Sequence, residues 1–202
     1  MSYLLTALCS YLLGSIPFGY IVGRWHGLDI RNHGSGNIGA TNVLRVLGKS
    51  YGYPVFFCDV LKGFIPVRLA CLLASSLPAH GPYVLPVIAA VCAILGHSFP
   101  VWLRFSGGKG VATSAGACLA LIPWATLIVT VVWGVIFFAL RFVSLASVIA
   151  AIALPVSVFL LPRTRDPVLL GFAIAISLLV LLRHRGNIRR LLAGSEPRFR
   201  RK

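Results

Sequence analysis

The stretch Tyr3-Leu-Leu-Thr-Ala-Leu-Cys-Ser-Tyr-Leu-Leu-Gly-Ser-Ile-Pro-Phe-Gly-Tyr-Ile-Val22 decides how the rest of the chain is read. It carries no charge, and as a helix it is long enough to cross a hydrocarbon core of about 30 Å. No basic flank precedes it and no clear cleavage site follows, so it reads as a first span rather than a removed leader. Further apolar segments follow at about 53–77, 83–103, 124–140, 144–161 and 168–182. A shorter one at 111–122 reaches only about 18 Å as a helix. Polar stretches separate them at 24–50, 104–110, around Arg141, at 162–167 and in a basic tail at 183–202.

Composition agrees. Of 202 residues 58% are hydrophobic and 11% charged, and the mean hydropathy is +0.90. A soluble domain devotes about a quarter of its residues to charge. This chain cannot cover itself with a polar surface, so the bilayer is its solvent. The expectation is an all-α integral membrane protein with about seven spans, one of them short, in a single polytopic domain ending in the basic tail.

Charge sets the orientation. There are 19 Lys and Arg against 4 acidic residues, a net +15. Cytoplasmic loops collect basic residues. With the tail inside, Arg141, Lys109 and the 24–50 stretch also fall inside, while the bare turns at 78–82 and Pro123 fall outside. Arg163 and Arg165 sit on the opposite side, partly offset by Asp166. This requires an outside N-terminus and a separate crossing for the short segment, which can be a half-length helix buried in protein. Nucleic acid is excluded as a partner, because almost no soluble surface remains to form a groove. The acids are Asp29, Asp59, Asp166 and Glu196. So few carboxylates leave neither a metal site nor an acid–base carboxylate pair. Cys9, Cys58, Cys71, Cys92 and Cys118 lie in apolar stretches without a C-x-x-C pair and read as small hydrophobes. No cofactor is indicated.

The chemistry gathers in three polar clusters. The first loop reads Asn32-His-Gly-Ser-Gly-Asn-Ile-Gly-Ala-Thr-Asn42 and continues to Arg45. Its G-x-G-x-x-G at Gly34, Gly36 and Gly39 lacks the strand that a dinucleotide site requires. The physics still transfers: glycines let backbone N–H groups approach an anion, Ser35, Asn37, Thr41 and Asn42 add neutral donors, and Arg45 adds a fork suited to phosphate. The second loop reads Phe105-Ser-Gly-Gly-Lys-Gly-Val-Ala-Thr113. Leu103 stands where a Walker motif needs its first glycine, so nucleotide hydrolysis is not indicated. What remains is a Gly107-Gly108-Lys109-Gly110 turn opening into the short helix, a phosphate cradle. His97 before it is a structural hydrogen-bonder or a functional group; both readings stay open.

The third cluster, Arg183-His-Arg-Gly-Asn-Ile-Arg-Arg190, begins where the last span ends. A basic anchor on anionic lipid accounts for its arginines, and for Arg198, Arg200 and Arg201. It does not account for His184 and Asn187, which share one face of a continuing helix. Arg141 and Ser144 form a fourth spot at a hinge. Asp59 and Lys62, three apart within a span, read as a mutual pair; alternatively Asp59 orients a residue of the first loop.

Together, Gly34-Ser-Gly-Asn-Ile-Gly-Ala-Thr-Asn42, Gly107-Gly-Lys-Gly-Val-Ala-Thr113 and Arg183-His-Arg-x-Asn-Ile-x-Arg-Leu191 closely resemble the bacterial acyl-phosphate-dependent glycerol-3-phosphate acyltransferases, the PlsY family. Asp59-Val-Leu-Lys-Gly63 and Val143-Ser-Leu-Ala-Ser147 extend the resemblance over essentially the whole chain, with no departure at a motif position. The resemblance implies transfer of a fatty acyl group from acyl phosphate to the sn-1 hydroxyl of glycerol 3-phosphate, giving lysophosphatidic acid and inorganic phosphate, the first step of phospholipid synthesis. It further implies a monomer in the bacterial inner membrane, in contact with membrane lipids, with its active site at the cytoplasmic face and a soluble enzyme supplying acyl phosphate. Ser35, Arg45, Lys109, His184 and Asn187 are then the expected catalytic set, with phosphate bound by Gly34, Gly36, Asn37, Gly39, Thr41, Asn42, Gly107, Gly108, Gly110 and Ser144. Asp59, Lys62 and Glu196 are expected to be structural supports. His184 is a candidate general base, as is a substrate phosphate oxygen. A covalent role for Ser35 is disfavoured, because no His–carboxylate partnership stands beside it. The competing reading is a transporter of phosphate or another small anion, which should show repeat symmetry and half-helices meeting at the bilayer midplane.

Overall fold

The computed structural model describes residues 2–75 and 81–199. The expected outer turn at 78–82 lies partly outside them, as do Arg200 and Arg201. Among the described residues the chain is all helical, without strands. It divides into two compact units, Met1–Leu121 and Ile122–Lys202.

The first unit begins with α1 (Ser2–Gly14) and α2 (Phe18–Trp25). The sequence predicts one unbroken span here, and the structure corrects this. Pro17 has no N–H to give the residue four before it, and its ring crowds that carbonyl, so the helix breaks. In an apolar setting the freed backbone needs a partner. Lys62 supplies one, donating from Nζ to the Ile16 carbonyl at 2.7 Å. The two pieces together, Tyr3–Trp25, are long and apolar enough to span a membrane.

The 24–50 stretch, read from sequence as a polar loop, holds α3 (Ala40–Leu47). Gly48, at φ +89°, separates it from α4 (Lys49–Ala74), which starts earlier than the apolar run predicts. Next come α5 (Val84–Ser98) and the short α6 (Val111–Leu121). Pro100 bars the helical conformation at Phe99 (φ −136°, ψ 62°), so α5 stops before the predicted 103 and a 3-10 turn covers Val101–Leu103. Within this unit α4 packs on α6, α1 on α5 and α3 on α4. Close approach of α4 and α6 rests on glycine: a Cβ at Gly63 would fall on the Thr113 carbonyl, and one at Gly116 on the Val60 carbonyl. Small residues allow such helix contact where water supplies no hydrophobic drive.

The second unit holds α7 (Pro123–Leu140), α8 (Val143–Leu160), α9 (Pro167–Arg183) and α10 (Arg185–Leu192). Arg141, at φ +62°, makes the predicted hinge between α7 and α8. Asp166 caps α9, its carboxylate accepting the Val168 N–H at 2.8 Å. The tail is not a straight continuation of the last span: α10 turns 59° from α9 at His184. Small residues again line a helix contact, Ala151 of α8 accepting a hydrogen bond from Ser177 of α9. Large apolar side chains such as Leu127, Val131, Val135 and Phe138 face outward, the arrangement a lipid solvent favours.

Four helical stretches are long and apolar enough to cross a membrane, at Tyr3–Trp25, Val84–Leu103, Pro123–Leu140 and Val143–Leu160. The bent pair α9–α10 makes a fifth. The remaining two of the seven predicted segments are α4, which carries Asp59, Lys62 and Arg68, and the short α6.

Candidate active site

The first loop is built by its own side chains. Asp29 caps a 3-10 turn at Ile30–Asn32, accepting the Arg31 N–H at 3.0 Å and pairing with the Arg31 guanidinium at 2.6 Å. The side-chain hydrogen bond from Arg31, then its backbone N–H, hold the Asp29 carboxyl down at about 2. The loop's one acid is thereby neutralised locally. Sequence reading passed over this pair; the Asp-x-Arg spacing ahead of the glycines was the available signal.

Gly34 and Gly36 follow at φ +61° and +69°, a region L side chains avoid. Asn42, 2% exposed, fills the hollow beneath them. Its Oδ1 accepts the Ser35 N–H at 2.8 Å, and its amide protons are shared among the carbonyls of Asn37 (2.8 Å), His33 (3.0 Å) and Ile30 (3.2 Å). Asn37 Oδ1 accepts the Gly39 N–H at 2.8 Å. Both asparagines, expected as phosphate contacts, spend these groups on the loop itself. Ser35 and Arg45 are exposed, and Thr41 is half-buried in the first turn of α3. Arg45 therefore projects from a helix, not a loop. Gly39 leads into that helix in an extended conformation.

The second turn is set by what lies under it. The Gly108 N–H donates to the His97 carbonyl at 3.1 Å. Gly107 lies against the His97 and Ser98 carbonyls, and Gly108 against the His97 ring, so neither position has room for a Cβ. Gly110, at φ +77°, opens α6, its carbonyl accepting the Ser114 N–H at 2.7 Å. Lys109 between them is half-buried. Leu103, in the 3-10 turn that precedes the second loop, packs in one apolar cluster with Ile30, Ile38 and Val43 of the first loop and α3 and with Val55 of α4. The structure thus brings together in one unit the two glycine-rich turns that the sequence singled out.

Beneath the second turn lies a buried charge group. Asp59 and Lys62 pair at 2.8 Å, as their spacing predicts, and His97 Nδ1 stands 3.6 Å from the same Asp59 oxygen.

In the second unit Glu196 is the organiser. Its Oε1 accepts from Ser144 Oγ (2.7 Å) and Asn187 Nδ2 (2.6 Å), and its Oε2 from Arg190 Nε (2.8 Å). Partial burial pushes this carboxyl up, but the three donors and the Arg190 charge outweigh it and hold it below its usual range. Ser144, expected to donate to phosphate, directs its hydroxyl proton to Glu196 instead. Phe199 extends the latch, donating its N–H to the Arg141 carbonyl at 2.7 Å and packing on Phe137, while Arg198 stacks over Phe142. His184, 2% exposed, sits at the α9–α10 bend. Its Nδ1 lies 2.8 Å from the Val180 carbonyl. A carbonyl only accepts, so Nδ1 carries a proton and Nε2 is the basic nitrogen. Among the described residues no group of His, Cys, Asp and Glu is placed to hold a metal ion.

A family model, glycerol-3-phosphate acyltransferase, matches residues 4–194. The glycerol-3-phosphate acyltransferase of Aquifex aeolicus is 46% identical over 199 residues, covering 98% of this chain and all of that protein. That of Endomicrobium trichonymphae is 43% identical over 198 residues, covering 98% and 96%. The crystal structure of PlsY, an integral membrane glycerol 3-phosphate acyltransferase, in its glycerol 3-phosphate form has a TM-score of 0.91 at 44% identity, covering 99% of this chain and 96% of that one. Its lysophosphatidic acid form has a TM-score of 0.88 at 43% identity, with the same coverage. With residues 4–194 matched by the family model and the fold matched over 99% of its length, the chain belongs to the glycerol-3-phosphate acyltransferase family.

Proposed function

We propose that this acyltransferase takes its acyl group from acyl phosphate and delivers it to the sn-1 hydroxyl of glycerol 3-phosphate. The observation that carries the reading is the pair of glycine-rich turns in one compact unit, with Arg45 on the helix that follows the first, Lys109 within the second, and the first loop's own acid, Asp29, already neutralised by Arg31. Two such turns match a reaction in which both substrates carry phosphate. Relatives crystallised in glycerol 3-phosphate and lysophosphatidic acid forms support it, since these are the proposed acceptor and product.

In the step itself the sn-1 oxygen attacks the acyl carbonyl carbon. The bond from that carbon to the phosphate oxygen breaks, and inorganic phosphate leaves. The hydroxyl proton passes to a base, for which His184 Nε2 and a substrate phosphate oxygen both qualify. Acyl phosphate is an activated mixed anhydride, so orientation and charge stabilisation supply most of the acceleration. Arg45, Lys109 and the Gly107–Gly110 turn clamp phosphate, and Ser35 offers a neutral donor. Asn187 and Glu196 hold the α10 segment beside His184. We take the protein to be a multi-pass monomer of the bacterial inner membrane, N-terminus outside, with its polar loops and tail cytoplasmic.

The test is direct. Purified protein in detergent receives glycerol 3-phosphate with palmitoyl phosphate or with palmitoyl-CoA, and lysophosphatidic acid and phosphate are measured. Both products should form from palmitoyl phosphate alone. Folded protein giving no product above a heat-killed control, or turning over only the CoA ester, overturns the donor assignment.

A further inference from the structure

The Asp59–Lys62 pair raises a question that its own geometry answers only in part. A buried ion pair is weak support for stability, because desolvation cancels most of its attraction. Ionisable side chains inside a membrane helix are expensive and mark functional positions. Asp59 and Lys62 are 2% and 3% exposed, and each has a second neighbour. Lys62 Nζ reaches back to the Ile16 carbonyl at the break between α1 and α2. Asp59 Oδ1 reaches forward to within 3.6 Å of His97 Nδ1. That separation is long for a hydrogen bond but short enough for a carboxylate to fix the orientation of the ring. The other edge of the same ring lies under the second turn: a Cβ placed on Gly108 would fall on Nε2, with ring Cδ2 at 2.9 Å and Cε1 at 3.0 Å. The backbone of the same histidine accepts the Gly108 N–H.

We propose that His97 is a positioning residue for the Gly107–Gly110 turn, with Asp59 setting its ring, so that the buried charge group fixes where Lys109 meets phosphate. Three features of the molecule converge on this. The ring is 4% exposed and wedged between a carboxylate and a glycine. Glycine at 108 permits ring-to-backbone contact, which any side chain would prevent. The residue that the contact holds in register is bonded directly to Lys109. The histidine acts through the turn and touches no substrate in this scheme. The inference rests on the phosphate-clamp role proposed for Lys109.

The experiment is a double-mutant cycle in detergent-solubilised protein, using His97→Ala, Lys109→Ala and the double variant, with glycerol 3-phosphate and palmitoyl phosphate varied in turn. His97→Ala should raise KM for the same substrate as Lys109→Ala, by roughly five- to tenfold, with kcat falling less than about threefold. In the Lys109→Ala background, His97→Ala should change that KM by less than about twofold, because the residue that the ring positions is already gone. Asp59→Asn should shift KM in the same direction and add nothing to His97→Ala. His97→Gln, which keeps a polar group over Gly108, should recover part of the loss. Should His97→Ala not be recovered folded, as judged by size exclusion and thermal unfolding, the same cycle is run with His97→Gln, whose smaller rise in KM should likewise vanish in the Lys109→Ala background.

Effects that multiply independently overturn the proposal, as does a fall in kcat at unchanged KM, the mark of a smaller folded fraction. If wild-type protein transfers no acyl group, the activity assignment fails instead. The cycle is then read from the thermal stabilisation that glycerol 3-phosphate gives each variant. If Lys109→Ala alone changes neither KM nor that stabilisation, the clamp role fails and the inference falls with it.

Discussion

The two glycine-rich turns of the first unit reach similar ends by opposite means. The first is exposed and held by its own side chains, above all Asn42, which ties four backbone groups together from below. The second is held by what it rests on, the carbonyls and ring at the end of α5. A loop of the first kind carries its own scaffold and is sensitive to the loss of one amide. A turn of the second kind is sensitive to any atom added between it and the helix. A basic residue goes with each, Arg45 on the helix that follows the first and Lys109 within the second.

Adding an atom to the second turn should have the largest effect. Gly108→Ala drives a Cβ into the His97 ring and should lower kcat/KM by about 100-fold or more, since small displacements of a positioning element cost that much; a steady-state assay on folded protein checks it. Removing the charge of the second turn comes next: Lys109→Ala should raise the KM of one phosphate substrate by about tenfold, and an unchanged KM and kcat would refute the clamp. Removing the first loop's scaffold follows. Asn42→Ala removes the acceptor of the Ser35 N–H and the amide donor of the Asn37 carbonyl, while the His33 and Ile30 carbonyls keep the Gly36 and His33 N–H groups, and it should cost about 2 kcal/mol of stability in thermal unfolding, a loss that Gly108→Ala should not share to the same degree. If the two variants behave alike, the distinction between the loops is wrong.

The smallest effect concerns Glu196. The folded protein holds its carboxyl below the ordinary 4.5, so its stabilisation is fully present above that value and is lost as pH falls through the lower folded value. Glu196→Gln should therefore unfold at a lower temperature than wild type near neutrality, and the gap should close as the solution is acidified below 4.5. A gap that persists in acid would show that the carboxylate charge is not what holds the latch.

Much of this was legible in the sequence, for identifiable reasons. Long apolar runs announce spans because a bilayer fixes their length, and glycine clusters announce turns that approach anions. The break at Pro17 escaped because an average over hydropathy does not register one missing N–H. α3 was missed inside a polar stretch, although Val43, Val46 and Leu47 stand at helical spacing. Asn37, Asn42 and Ser144 stand beside the turns and the hinge, but composition does not reveal which way an amide or hydroxyl points. The Ser144–Glu196 bond joins positions 52 apart, and no local pattern encodes such a pair. Asp59 and Lys62 were read as a pair because three residues bring them to one helix face; that His97 completes the group depends on the packing of α4 against α5.

The latch at Glu196 also has a meaning in time. A membrane protein emerges from the ribosome N-terminus first, and Glu196 emerges after α9 and α10 have been made. Until then Ser144 and Asn187 lack the acceptor they use in the finished fold. The last carboxylate therefore works as a seal on assembly. A chain that stops short of it keeps every span and both glycine-rich turns, but leaves its second unit unfastened. Such a product should be what quality-control proteases remove first.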